Sequence, residues 1–146
     1  MRLALMVCLV ASVSACGGNT LAPTGVAGGT TTNIAGTWNG TIGSSNNATE
    51  QLRMTLTQSG SDVSGSWNST SVSWTGEISG AVKGSSFDGQ LKFSGTAADG
   101  TVCTGTANVV GQVTTSTMAW TSASGVVGES CPAPLPTVLK IDVQRQ

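Results

Sequence analysis

The chain has 146 residues, with six basic and seven acidic side chains, no histidine and a net charge of −1 at pH 7. No basic patch occurs along it, which excludes a nucleic-acid partner gripped through its phosphates. The lack of histidine removes the commonest general base and the usual partner of a catalytic nucleophile.

Residues 1–15 carry one positive charge, Arg2, followed by an apolar run from Leu3 to about Val13. A stable bilayer span takes about 20 apolar residues, so this run reads as a cleaved secretory leader and stands outside the fold. It ends in Val13-Ser14-Ala15-Cys16. This aliphatic-small-small-Cys pattern resembles the bacterial lipobox. The resemblance implies a diacylglycerol on the Cys16 sulfur, cleavage before Cys16, and a membrane partner reached through the acyl chains, each buried methylene contributing about 0.8 kcal/mol. Gly17, not an acidic residue, follows; by that family's sorting habit the outer membrane is favoured over the inner.

Residues 16–33 are rich in Gly and Thr, uncharged and without hydrophobic periodicity. A segment of that composition buries too little apolar surface to order itself, and it reads as a tether. Residues 34–146 then form one domain.

Within that domain the hydrophobic period is two. Leu52, Met54 and Leu56 alternate with polar neighbours, as do Val72 through Val82, Phe87 through Phe93, and Leu139, Ile141 and Val143. Such alternation marks strands with one buried and one wetted face. Turn sequences at Ser59-Gly60-Ser61-Asp62, Lys83-Gly84-Ser85-Ser86 and Ala98-Asp99-Gly100 separate them. The runs predict about eight strands: 34–42, 49–58, 62–69, 71–83, 86–96, 101–110, 113–123 and 136–145. No segment has a helical period. The predicted fold is all-β, an eight-stranded antiparallel up-and-down barrel, since closure removes exposed edges. A β-sandwich is the alternative. Glycines at 36, 40, 65, 76, 80 and 89 share the apolar face with tryptophans, a mixture suited to a tapered interior where glycine leaves room for a large neighbour. A membrane-spanning barrel would need aromatic girdles, and the chain has no tyrosine and two phenylalanines.

Of the four cysteines, Cys8 leaves with the leader and Cys16 is used by the lipid. Cys103 and Cys131 remain, and in an exported protein the simple reading is a disulfide between them. A metal site is the other reading, disfavoured by the absence of histidine and of a CxxC spacing.

The first strand contains Gly36-Thr37-Trp38 and the last ends at Arg145. A Gly-x-Trp on the first strand with an arginine on the last resembles the calycin group, which includes the lipocalins, fatty-acid-binding proteins and avidins. The resemblance implies that Trp38 plugs one end of the barrel and that Arg145 packs across its indole. Parity agrees: the strand charges at Arg53, Glu77, Lys83, Asp88, Lys92, Lys140 and Asp142 fall on polar faces, whereas Arg145 keeps step with Leu139, Ile141 and Val143. The chain departs from lipocalins in showing no helix near its end, and from avidins in having no tyrosine.

Catalysis is not expected. Glu77 and Asp88 belong to the polar face, and no GxSxG elbow precedes a helix. No cofactor or metal is implied. Trp67, Trp74 and Trp120 are the candidates for lining an apolar pocket, although the same indoles also suit a filled core. The expected function is an exported, lipid-anchored β-barrel that binds a small hydrophobic ligand. The alternative is a protein-interaction or protease-inhibitor-like module at the periplasm or cell surface.

Overall fold

The computed structural model describes residues 30–44, 49–96, 99–124, 126–129, 131 and 138–146. The expected leader, Cys16 and most of the tether lie outside the described residues. The strands are β1 (Gly36–Ser44), β2 (Thr49–Ser59), β3 (Asp62–Ser69), β4 (Trp74–Lys83), β5 (Ser86–Thr96), β6 (Val102–Val113), β7 (Thr117–Ser122), β8 (Val127–Glu129) and β9 (Leu139–Arg145). Every pairing is antiparallel, each of β1 to β6 pairs with the next, β6 pairs with β7, β7 with β9, and β9 with β1. The result is a closed eight-stranded barrel with one extra strand, β8, laid on β6. The sandwich alternative is thereby excluded.

The alternation in the sequence is the alternation of the wall. Leu52, Met54, Leu56, Ile78, Val82, Phe87, Leu91, Val109, Ile141 and Val143 face inward and are buried, while Ser, Thr, Gln, Asn and charged residues between them face water. A polar exterior around an apolar interior is the reverse of a barrel that spans a bilayer.

The strand ends differ from expectation where local contacts intervene. β1 begins at Gly36 rather than Ile34, because the chain turns sharply there: Gly36 has φ +134°, a backbone region that side chains with a Cβ avoid. β4 begins at Trp74 rather than 71, because the Ser69 hydroxyl accepts the backbone N–H groups of Ser71 and Val72, each at 3.3 Å. Val72 is therefore exposed and not part of the inner face. β6 continues to Val113, and the turn into β7 follows it, with Thr114 Oγ1 accepting the N–H groups of Ser116 and Thr117. β8 was not expected. All three of its residues are exposed, so it has no alternation to read.

β7 and β8 both run along the same side of β6. Val109 faces Ser122 and Thr106 faces Val127, three steps on β6 against five from β7 to β8. The two surplus residues break the ladder, as a bulge does, and β9 pairs with β7. Cys103 and Cys131 form a disulfide with Cα atoms 4.6 Å apart. It ties the start of β6 to the residue two places beyond β8.

Candidate functional site

The two ends of the barrel are built differently. One carries the short turns after β2, β4 and β6, and the N-terminal segment lies across it. Thr32 N–H donates to the Gly84 carbonyl at 3.0 Å. Gln58 clamps the segment from below: its Oε1 accepts the Ile34 N–H at 2.7 Å, and its Nε2 donates to the Thr32 carbonyl at 3.1 Å. Ile34 and Trp38 are wholly buried, and the Trp38 indole N–H donates to the Ile34 carbonyl at 2.9 Å. Arg145 then closes the seam. Its guanidinium lies 4.7 Å from the Trp38 ring centroid and donates to the carbonyls of Ala35 and Asn33 at 2.9 and 2.7 Å. Gly36, Trp38 and Arg145 thus form one structural unit that shuts this end.

The opposite end, where β1, β3 and β5 finish and β2, β4, β6 and β9 begin, is the loop end. Here the inner face is built by cross-strand pairs of an aromatic residue with a glycine: Trp67 opposite Gly76, Trp74 opposite Gly95, and Phe93 opposite Gly105. A Cβ on Gly76 would meet the Trp67 indole, one on Gly95 the Trp74 ring, and one on Gly105 the Phe93 ring. Each aromatic ring therefore lies over the bare backbone of the next strand, all three leaning the same way round the barrel. Trp67 is buried, and its indole N–H reaches past Gly76 to the Lys92 carbonyl at 3.0 Å. Trp74 is half-buried, with its ring 5.6 Å from that of Phe93.

The three pocket candidates consequently part company. Trp67 and Trp74 stand together at the loop end, one beneath the surface and one at it. Trp120 does not join them. It lies opposite Gly111 in the other half of the barrel, 1% exposed, with its ring stacked 4.3 Å from Phe87. It is core, and among the described residues its indole N–H has no hydrogen-bond partner. Beneath Trp74 the inward side chains of Trp67, Ile78, Leu91 and Phe93 are buried. The surface available to a ligand is accordingly the rim around Trp74, not a deep cup.

The sequence reading missed two rim features. The first is Glu50. It keeps step with Leu52, Met54 and Leu56 on β2 and faces Ile42 across β1, so it points inward. Its carboxylate accepts the Ser71 hydroxyl, and Ser71 Oγ is 3.3 Å from Ser69 Oγ. The parity signal is present in the sequence, but a carboxylate two residues before the first apolar position reads as a wetted strand end. The second is a set of exposed valines. Val72, Val102 and Val138 are 41, 56 and 38% exposed and stand at the loop end, and Val127, 68% exposed, lies opposite Thr106 partway along β6.

One further hollow, of about 350 Å³, lies on the outer wall between Ser64, Glu77, Ser79 and Lys92. Glu77 faces Lys92 across β4 and β5, whereas Asp88 faces Ala81, so the two carboxylates are not brought together. The hollow has the polar lining of a wetted surface. No family model, curated protein or solved structure matches this chain.

Proposed function

We propose that the protein is an exported, lipid-anchored, non-catalytic barrel whose loop end binds a small apolar or aromatic molecule. The observation that carries this reading is Trp74, a half-buried indole set beside Phe93 at the edge of a packed core. An aromatic ring held at the boundary between core and water offers apolar area that a ligand can cover without unpacking the interior. The anchor fits the same arrangement. The chain reaches the barrel at the shut end, where Thr32 meets Gly84. The stretch from Cys16 to that point spans at most about 55 Å, and it joins the end of the barrel away from the rim.

The valines at the same end favour a second reading, contact with a protein partner that covers them. Native mass spectrometry of the exported protein from its own host separates the two. Ligand binding predicts a copurifying small molecule that is lost in Trp74→Ala. A protein partner predicts a complex that survives Trp74→Ala and is lost when Val72 and Val102 are changed to Ser. Intact mass of the mature chain tests the anchor: it should begin at Cys16 and carry the mass of a diacylglycerol.

A further inference from the structure

Among the described strand residues only two charged side chains have inward register, Arg145 at the shut end and Glu50 at the loop end. Both stand at an end of the barrel, Glu50 part-exposed and Arg145 exposed, so water meets much of the cost that an inward charge carries, and hydrogen bonds fix where each points. Arg145 is matched by two carbonyls and an indole. Glu50 is held by the neutral hydroxyl of Ser71, which fixes the position of the carboxylate without neutralising it. The Ser71 to Ser69 link carries the same cluster to the end of β3, the strand beside β4. Leu52 faces Ser69 and Asn68 faces Thr75, so Ser69 sits beside Trp74 on the inner face. Two strand spacings, about 10 Å, separate β2 from β4, a distance that a small aromatic molecule with a short alkyl chain covers.

We infer that Glu50 reads the polar end of the ligand, and that the rim selects a molecule with an aromatic or apolar body and a protonated amine. This rests on the rim-binding reading above. Trp74, backed by the buried Phe93, supplies the apolar wall, and Ser71 holds the carboxylate in place for the incoming cation. An anionic head of the same shape would meet the carboxylate's repulsion.

The experiment is a titration of the mature exported protein in phosphatidylcholine nanodiscs at pH 7, with empty nanodiscs subtracted. The probes are phenethylamine, 3-phenylpropionate and 3-phenylpropanol. The amine should bind about tenfold more tightly than the carboxylate, the scale of one charge contact in a partly wetted site. Glu50→Gln should erase that preference while the melting temperature stays near that of the wild type. Ser71→Ala, which keeps the charge, should retain the preference, and Trp74→Ala should weaken all three probes alike. Equal binding of amine and carboxylate to the wild-type protein would overturn the role of Glu50 and leave rim binding intact. A preference that persists in Glu50→Gln would overturn it as well. Failure of all three probes to bind would overturn both readings.

Discussion

Arg145 and Trp38 face each other directly across β1 and β9, with the guanidinium 4.7 Å from the indole centroid. The pair joins the last strand to the first, and the two carbonyl hydrogen bonds from the same guanidinium fasten the N-terminal segment over the seam. Because the side chain is largely exposed, water screens part of each contact. Arg145→Ala should lower stability by about 1–2 kcal/mol. Urea denaturation measures this, and Arg145→Lys should recover only part of the loss, since an ammonium cannot serve both carbonyls and the ring at once.

Trp67 and Trp120 provide an internal comparison. Both indoles are buried, but the Trp67 N–H is bonded to the Lys92 carbonyl and the Trp120 N–H has no partner among the described residues. An unmet buried donor costs about 1–3 kcal/mol, whereas a bonded one stabilises by about 1 kcal/mol. Trp120→Phe should therefore stay within about 1 kcal/mol of the wild type, its lost volume offset by removal of the donor. Trp67→Phe should cost about 2 kcal/mol more than Trp120→Phe. Urea midpoints with unchanged slopes decide it, and the reverse order would sink the argument.

Glycine-to-alanine changes at Gly76 and Gly95 should differ in kind. At Gly76 the new methyl would meet the Lys92 carbonyl and the Trp67 indole that is bonded to it, and neither can step aside. At Gly95 it would meet the ring of Trp74, which stands at the rim and can swing outward. Gly76→Ala should cost about 3 kcal/mol and Gly95→Ala about 1 kcal/mol. Gly95→Ala should also shift tryptophan emission to the red and abolish rim binding. Thermal melts and fluorescence spectra report both effects.

The Cys103–Cys131 bridge closes a loop with a sequence separation of 28, for which the chain-entropy model gives about 3–4 kcal/mol. The Cys103→Ser, Cys131→Ser double variant should lose about that much stability. Reductant should lower the urea midpoint of the wild type to that of the variant, and a wild-type midpoint indifferent to reductant would count against the bridge.

Much of the fold was legible because side-chain direction along a strand is local. Leu52, Met54 and Leu56 point the same way whatever surrounds them, since successive residues of an extended chain alternate between faces. The sequence therefore determined the all-β class, most of the inward and outward sets (Val72 and Glu50 excepted, both at strand ends), the turns at Gly60 and Gly84, the candidate cysteine pair, and the parity that brings Arg145 to the Trp38 side.

Tertiary structure alone decided the rest. Alternation is the same in the middle of a strand as at its end, so Trp67, Trp74 and Trp120 look alike in sequence, and only the completed barrel makes one of them core, one subsurface and one rim. β8 pairs through its backbone with no side chain buried, and backbone pairing leaves no trace in a hydrophobic pattern. Glu50 became a candidate only when Ser71, brought beside it by the β2–β3 pairing, gave its carboxylate a fixed place. These assignments depend on which strands become neighbours and on which level of the barrel a residue occupies. Both are set by contacts between residues far apart in the chain.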